Sequence, residues 1–432
     1  MRLNKLRWLI LILLFTSTMI NYVDRQALSV LLPALRADLG LSSAAYGTIT
    51  TLFLVAYTIS QVGFGVLIDK IGTRLGFALS IVVWSIAAML HAFAGGALSL
   101  GILRFALGLG EAGNWPAGGK AISQWFPAHR RAFGMGFFDG GSAVGAILAP
   151  PIVAALAIYF GWRSAFVVTG LLGFVWLAAW LYVYAAPGEH KWLSERDRET
   201  ALAETGATRG KPTATFGAAL RRIIGVRQLW GLMATRMLAT PVWWFYVFWL
   251  PDYLSKGRGF TLKEIGLFGW IPYLTVDIGK LVGGSVSDKL LKNGYSATLA
   301  RKGVMVAGAL LMTAGVMVVG AETTAGAIAW VSLATFGFGM WSANILALHA
   351  DIFPSETMGS AIGLTGMAAS LGGAVFTFVI GQVVDRAGYA PVFWAAGTAA
   401  LIALLALVFL VGRVELMRDD ETSGGTRKVV AA

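Results

Sequence analysis

The dominant feature of this sequence is a series of apolar segments, each about as long as a bilayer is thick. A helix needs roughly 20 apolar residues to cross the hydrocarbon core. Twelve such segments lie at approximately 8–31, 44–67, 76–94, 97–120, 132–158, 164–185, 228–251, 264–287, 303–320, 325–348, 358–384 and 391–412. Helices satisfy their own backbone hydrogen bonds in lipid. The sequence therefore predicts an all-α integral membrane protein with twelve transmembrane helices.

Composition agrees with this interpretation. Of 432 residues, 57% are hydrophobic and only 13% are charged, against roughly 25% charged in a soluble domain. No cysteine is present, which excludes disulfides and thiolate metal sites. The net charge of +12 is concentrated in alternate loops, so it does not indicate nucleic-acid binding. We expect no metal and no cofactor.

A polar stretch between the sixth and seventh segments divides the chain into two halves. It predicts an N-terminal six-helix bundle at 1–186, a cytoplasmic central loop at 187–227, a C-terminal six-helix bundle at 228–413 and a tail at 414–432. A Gly-x-x-x-Asp-Lys sequence follows the second segment at Gly65–Lys70 and recurs after the eighth. Such internal repeats are typical of transporters that bind solute near the midplane, between the halves.

The distribution of Lys and Arg predicts the orientation. With a cytoplasmic N-terminus, 23 of the 34 lie in cytoplasmic segments, six in outer loops and five within spans. This bias places both termini and the central loop in the cytoplasm. The N-terminal run resembles a signal peptide but shows no small-residue cleavage site before Asp24, so we interpret it as an uncleaved first helix.

Asp24 and Arg25 are adjacent and lie late in the first apolar segment. Each charge inside a membrane costs about 2.5–3.5 kcal/mol, and such residues usually face a bundle interior or a water-filled cavity. They therefore indicate a pathway for a solute or a proton. The alternative is a pair at the membrane edge that reaches water.

The fourth segment carries a second acid and base. Arg104 and Glu111 are seven residues apart, which places them on one helix face. The sequence Ala-Gly-Asn-Trp-Pro follows Glu111 and predicts a disturbed helix. Because a charged glutamate is costly in a membrane, Glu111 is a candidate proton carrier. The alternative is a static ion pair between Arg104 and Glu111.

Neighbouring side chains on a helix diverge by about 100°, so Asp24 and Arg25 should serve different partners. We assign Arg25 to a solute carboxylate, which a guanidinium can bind through two parallel hydrogen bonds. Asp24 is assigned to proton coupling together with Glu111. Tyr22 precedes Arg25 by three residues and could donate to the same solute.

Several other residues are candidates for binding a sugar. Asp139 could accept hydrogen bonds from hydroxyl groups, or it could be satisfied by backbone. Trp243 and Tyr246 could stack on a sugar ring, or they could belong to an aromatic belt at the membrane surface. Asn344 and Thr365 are weaker polar candidates.

The sequence leaves three charged residues without an assigned role. Asp277 and Lys280 are three residues apart, which favours a local ion pair over a solute ligand. Arg236 could guide an anion or anchor to lipid headgroups.

Asp69 and Asp288 follow the second and eighth segments. We assign them to gating, together with Arg74 of the same loop sequence as Asp69. Their contacts with helix ends and basic loop residues would break on opening.

These runs resemble a known family. GVLIDKIGTR resembles the cytoplasmic loop signature of the major facilitator superfamily, and Arg104-x-x-x-Gly108-x-Gly110 its fourth-span motif. NYVDR, GEAGNWPAGGKAISQWFP and GWRSAF resemble the anion:cation symporters within it. PVWWFYVFWLPDYL and DIFPSETMGSAIGLTGMAASLGG look closest to hexuronate transporters. The second loop signature departs from the pattern, with Leu-Leu-Lys in place of Gly-Arg-Arg.

The resemblance implies two pseudo-symmetric six-helix bundles, and proton carriers in the span-1 motif and span 4, matched by Asp24 and Glu111. It also implies a span-2 tyrosine near the solute, matched by Tyr57. The predicted function is a monomeric, proton-coupled importer of a sugar-acid anion, a hexuronate such as glucuronate or galacturonate, in a bacterial inner membrane.

Other functions have weaker support. An aldonate or aldarate could be the solute, and an efflux antiporter would share the fold. Gly141-x-x-x-Gly145 fits an efflux motif, but the prolines that follow come late. An enzyme is disfavoured because the four histidines are scattered and neither HExxH nor a phosphate-binding loop occurs. The central loop is too short for an ordinary signalling domain.

Overall fold

The computed structural model describes residues 3–205, 221–415 and 417. These residues form helices and connecting turns and contain no β-strand, which confirms the predicted all-α class. The first half contains α1 (Leu3–Leu39), α2 (Ser43–Ile71), α3 (Thr73–Leu90), α4 (Ala97–Glu111), α5 (Asn114–Trp125), α6 (Ala128–Phe160), α7 (Trp162–Val183) and α8 (Glu195–Thr205). The second half contains α9 (Arg227–Asp252), α10 (Leu262–Phe268), α11 (Ile271–Lys292), α12 (Ala297–Met312), α13 (Thr324–Ile352), α14 (Ser355–Ala387) and α15 (Ala390–Phe409).

Ten helical segments in the described ranges are long and apolar enough to cross a membrane. Two predicted spans are not among them, and both contain helices. The fourth is divided between α4 and α5, and the seventh is α9, which carries a basic side chain near its middle. Most helices extend beyond the predicted segments, and α1 has 37 residues. The apolar runs report the hydrocarbon thickness, whereas the helices continue into the polar layers on either side.

The interruption of the fourth span confirms the break predicted after Glu111. Helix α4 ends at Glu111, and α5 begins at Asn114. The amide of Gly113 bonds to the carbonyl of Gly110 at 3.3 Å, which frees the carbonyl of Leu109. The hydroxyl of Ser60 donates to that carbonyl at 2.9 Å. The break is therefore stabilised inside the bundle, where water cannot satisfy a freed carbonyl.

Small residues bring α6 close to α1. A Cβ atom added at Gly145 would lie 2.9 Å from the Cβ of Tyr22, and one at Gly141 would collide with the backbone of Phe15. Small residues at such contacts allow helix backbones to approach closely. This contact fixes the height of Tyr22 relative to α6. The spacing that fits an efflux motif thus has a packing role here.

The two halves meet mainly along three helix pairs, namely α2 with α14, α1 with α9, and α6 with α10, and α6 also contacts α11. At one end, Arg36 of α1 forms an ion pair with Asp252 of α9 at 3.0 Å. Asp385 of α14 accepts hydrogen bonds from the first two amides of α2, at 3.0 and 2.7 Å. A carboxylate is favourable at a helix N-terminus, so these contacts hold the halves together at this end.

Candidate functional site

A cavity of about 160 Å³ lies between the two halves. Its walls come from α1 and α6 in the first half and from α9, α11 and α13 in the second. The charged residues of the wall are Asp139, Arg236, Asp277 and Lys280. Hydroxyl groups, aromatic rings and aliphatic side chains complete it, among them Tyr22, Trp243, Tyr273 and Phe338. The wall thus combines charges, hydrogen-bonding groups and flat apolar surfaces, as sites for small polar molecules do.

Three of the predicted sugar-binding residues line this cavity, namely Tyr22, Asp139 and Trp243. The Trp243 ring stacks on Phe338, with centroids 5.5 Å apart and planes 4° from parallel. Trp243 therefore lies in the wall between the halves and not in a belt at the membrane surface.

Three other predicted ligands lie away from the cavity wall. Tyr246 is buried, and its hydroxyl has no hydrogen-bond partner among the described residues. It lies beside Gly315, so it packs inside the second half. The amide of Asn344 donates to the carbonyls of Gly283 and Met340, at 3.2 and 2.9 Å, and joins α13 to α11. Thr365 contacts Arg236 of the wall.

The central interaction of the first half is an ion pair between Arg25 and Glu111. Nε and Nη2 of Arg25 lie 2.9 and 2.7 Å from Oε2 of Glu111. Both side chains are buried, with 1% and 0% exposure. The Arg25 guanidinium lies 4.8 Å from the Tyr22 ring and 4.9 Å from the Tyr57 ring. Arg25 therefore does not line the cavity itself; Tyr22 does, and contacts it.

This pairing differs from the alternative of a pair between Arg104 and Glu111. Arg104 donates a 2.7 Å hydrogen bond to the backbone carbonyl of Arg25 instead. Seven residues correspond to about 10 Å along a helix, so Arg104 and Glu111 share a face but lie two turns apart. Glu111 is the last residue of α4, and its carboxylate reaches Arg25 of α1 from there.

Asp24 lies on another side of α1 from Arg25, as the 100° divergence predicts. It is 2% exposed. Neither carboxylate oxygen meets a donor with hydrogen-bond geometry within the described ranges, although the Thr169 hydroxyl lies beside it. Its neighbours with charge are Glu111 and Arg104. A buried carboxylate with so little compensation is costly while it is charged.

Lys280 lies between two acids. Its Nζ is 3.2 Å from Asp277, which confirms the local ion pair that the spacing favours. It is also 3.9 Å from Asp139 of α6. The second contact crosses from one half to the other. No local spacing could predict it, because the two residues are far apart in the chain.

Arg236 lines the cavity, which places it away from lipid headgroups. Its Nη1 donates a 3.0 Å hydrogen bond to Thr365 of α14. The sequence signal that could have identified Arg236 is its charge within an apolar segment. Thr365 gave no comparable signal.

The predicted gating residues form contacts inside their own halves. Asp69 pairs with Lys120 at 2.7 Å, and Asp288 pairs with Arg301 at 2.8 Å. Arg74 donates to the carbonyl of Leu181. Equivalent acids after the second and eighth spans thus bind a basic residue of a neighbouring helix. Within the described ranges, no group of three or more His, Asp or Glu residues could hold a metal ion.

Comparison with known proteins identifies similar chains. A family model described as Major Facilitator Superfamily matches residues 14–377, and again residues 295–431. The chain is 33% identical to the hexuronate transporter of Escherichia coli over 393 residues, 91% of each chain. It is 36% identical to the galacturonate transporter of Dickeya chrysanthemi over 313 residues, 72% of this chain and 90% of that one.

Among solved structures, that of a D-xylose-proton symporter matches with a TM-score of 0.74. The match covers 97% of this chain and 99% of that one, at 17% identity. At this identity the likeness concerns the fold alone. The two halves therefore form a fold that a solved structure shares.

Proposed function

The chain belongs to the Major Facilitator Superfamily, and from that premise we propose that it imports a sugar-acid anion together with a proton. It is a multi-pass membrane transporter and not an enzyme, as its family and its relatives are transporters. The finer proposal concerns the solute, the proton and the direction. We place the chain in a bacterial inner membrane with both termini in the cytoplasm, as its Lys and Arg distribution predicts.

The observation that carries the proposal is the composition of the cavity wall. Arg236 and Lys280 offer positive charge to a carboxylate, and Asp139 and Tyr22 offer hydrogen-bonding groups to hydroxyls. Trp243 offers an aromatic surface to a sugar ring. We propose a hexuronate such as glucuronate or galacturonate, as in the names of two relatives. An aldonate or aldarate is the second candidate, because a linear polyhydroxy acid has the same groups.

Charge balance supports proton coupling. One set of ionisable residues is buried in the first half, and a second, partly exposed set lines the cavity between the halves; each set holds two acids and two bases. The first set is Asp24, Arg25, Arg104 and Glu111, and the second is Asp139, Arg236, Asp277 and Lys280. Each set is neutral when all its members are ionised. A bound anion adds a negative charge where solvation is poor, and a proton removes it.

We propose that Glu111 and Asp24 carry protons. Protonation of Glu111 would remove the charge that holds Arg25 and free its guanidinium for the solute carboxylate. Tyr22 contacts Arg25 and also lines the cavity, so a small movement of its ring would connect the two. Asp24 has no such partner, and its proton would compensate charge without rearranging an ion pair.

Alternating access then requires the halves at 1–186 and 228–413 to rock about the cavity. The contacts of Arg36 with Asp252, and of Asp385 with α2, lie at the predicted outer end and would break when that end opens. We propose that the contacts of Asp69, Arg74 and Asp288 keep the helix ends at the opposite side together within each half during the movement. We propose that the protein works as a monomer, because residues from both of its halves line the cavity.

The test is uptake of radiolabelled glucuronate and galacturonate into proteoliposomes, with and without an inward proton gradient. Galactonate and galactarate are assayed in parallel. We expect a gradient to drive accumulation of a hexuronate. Accumulation that ignores the gradient would contradict proton coupling, and accumulation of galactonate or galactarate alone would change the solute.

A further inference from the structure

Arg236 differs from Lys280, the other basic residue of the cavity wall, because it has no acidic partner among the described residues. Lys280 has two carboxylates within 4.0 Å, at 3.2 and 3.9 Å. No carboxylate in the described part of the chain forms an ion pair with Arg236, although it lies in the same wall. A charge left uncompensated in a partly buried site favours an anionic ligand.

A chain of hydrogen bonds holds Arg236 from behind. Its Nη1 donates to Oγ1 of Thr365 at 3.0 Å, and Oγ1 lies 2.8 Å from Nε2 of His349. Nδ1 of His349 lies 2.8 Å from the carbonyl of Ile345. Since a carbonyl only accepts, Nδ1 carries the hydrogen, and Nε2 of the neutral ring is an acceptor that faces Thr365. The Thr365 hydroxyl also lies 3.1 Å from the carbonyl of Ile362, a second acceptor for its single hydrogen. With either acceptor, the Thr365 oxygen keeps lone pairs for Arg236.

The residues of this hydrogen-bond series behind Arg236 are buried. Thr365 and His349 are both 0% exposed. A guanidinium has five hydrogens to donate, and Thr365 takes one. The remaining donors of Arg236 can therefore bind a carboxylate through two parallel hydrogen bonds. By contrast, Glu111 occupies Arg25, and two carboxylates lie beside Lys280, so Arg236 is the wall cation with the most free donors for an entering anion.

We infer that Arg236 is a carboxylate-binding residue of the cavity, and that Thr365 and His349 are positioning residues that orient its guanidinium. The inference rests on the proposed transport of a sugar-acid anion. It also changes the role of Thr365, which acts through Arg236 and does not touch the solute.

The experiment measures the concentration dependence of hexuronate uptake into proteoliposomes for single and double variants of the full chain. Arg236→Gln should raise KM roughly tenfold or more, which corresponds to about 1.4 kcal/mol. Thr365→Val keeps the shape of the side chain but removes the hydroxyl, and should raise KM roughly fivefold with Vmax within about twofold. Thr365→Ser restores the hydroxyl and should restore the affinity. Thr377→Val is the matched control, because Thr377 is a buried threonine of the same helix outside the cavity wall.

A double-mutant cycle separates positioning from general stability. In the Arg236→Gln background, Thr365→Val should not raise KM further. Additive effects, or a lower Vmax at unchanged KM in Thr365→Val, would overturn the inference. A wild-type protein that takes up none of the four sugar acids would overturn the proposed function, and the inference with it. Hexuronate uptake with unchanged KM in Arg236→Gln would overturn the inference alone.

Discussion

Arg25 places two of its nitrogen donors on a single oxygen of Glu111, and the other oxygen of that carboxylate is buried without a hydrogen-bond partner among the described residues. The ion pair is therefore asymmetric. The unpaired oxygen can take a proton without first breaking a hydrogen bond. This arrangement makes Glu111 the better placed of the two proposed proton carriers to change the state of Arg25.

Glu111→Gln tests this role. Glutamine keeps an acceptor for Arg25 but cannot release a proton. We expect accumulation driven by a proton gradient to fall at least tenfold, since a tenfold change needs only about 1.4 kcal/mol, whereas exchange of external for internal solute continues. The measurement is gradient-driven uptake alongside counterflow in proteoliposomes. Glu204→Gln serves as the control, because Glu204 is 41% exposed and pairs with Arg7 outside the bundle core; gradient-driven uptake retained in Glu111→Gln would contradict the assignment.

Lys280 should be needed for solute binding because its charge compensates two carboxylates of the cavity wall. Lys280→Ala leaves Asp139 and Asp277 as uncompensated negative charges that repel an anion. We expect KM for the solute to rise roughly tenfold or more. Lys280→Ala combined with Asp277→Ala removes one charge of each sign and should recover part of the affinity. If KM of the double variant is as high as KM of the single variant, the charge of Lys280 does not explain its contribution to solute binding.

Trp243 and Tyr246 were equivalent candidates in the sequence, and the structure separates them. Trp243→Ala should raise KM roughly tenfold by removing the aromatic wall, and Trp243→Phe should raise it less. Tyr246→Phe removes only a hydroxyl that lies away from the cavity, so KM should stay within about twofold. Equilibrium binding of labelled solute checks both, and a larger effect from Tyr246→Phe would place the solute elsewhere.

Gly47 of α2 and Gly381 of α14 control how closely the halves approach at the predicted outer end. A Cβ atom at Gly47 would lie 3.0 Å from the Cα of Gly381, which is tighter than ordinary packing. Gly47→Val should therefore separate the halves at this end and favour its opening. We expect the distance between spin labels placed on α2 and α14 at this end to increase by several ångströms, on the order of the shift of one helix against another.

The absence of native cysteine makes that measurement direct, because introduced cysteines are the only labelling sites. Gly303→Val is the matched control, since nothing lies within 4 Å of a Cβ added there. An unchanged distance in Gly47→Val, with transport at the wild-type rate, would show that this contact does not set the closed state.

The predictable features of this protein were those fixed by the bilayer or by one helix. Twelve spans follow from apolar length, and the contact of Lys280 with Asp277 follows from a spacing of three residues. The break after Glu111 follows from local residues that resist a continuous helix. Each of these needs no knowledge of which helix lies beside which.

The remaining features depend on tertiary contacts. Arg25 and Glu111 are 86 residues apart, and Arg236 and Thr365 are 129 apart. Sequence analysis recognised three of these four side chains as unusual, but it could not pair them because no spacing connects separate helices. Tyr246 illustrates a different limit. Its residue type and its closeness to Trp243 predict a cavity residue, whereas the structure places it inside the second half.

The interruption between α4 and α5 has a mechanical consequence. A continuous helix resists bending, whereas two helices joined at Gly113 form a hinge with two independent arms. Glu111 is the last residue of one arm, and the other arm carries Lys120, which pairs with Asp69 in the last turn of α2. A change of charge at Glu111 therefore acts at the point of least stiffness in the span. We expect a proton there to tilt one arm while the other stays fixed to α2.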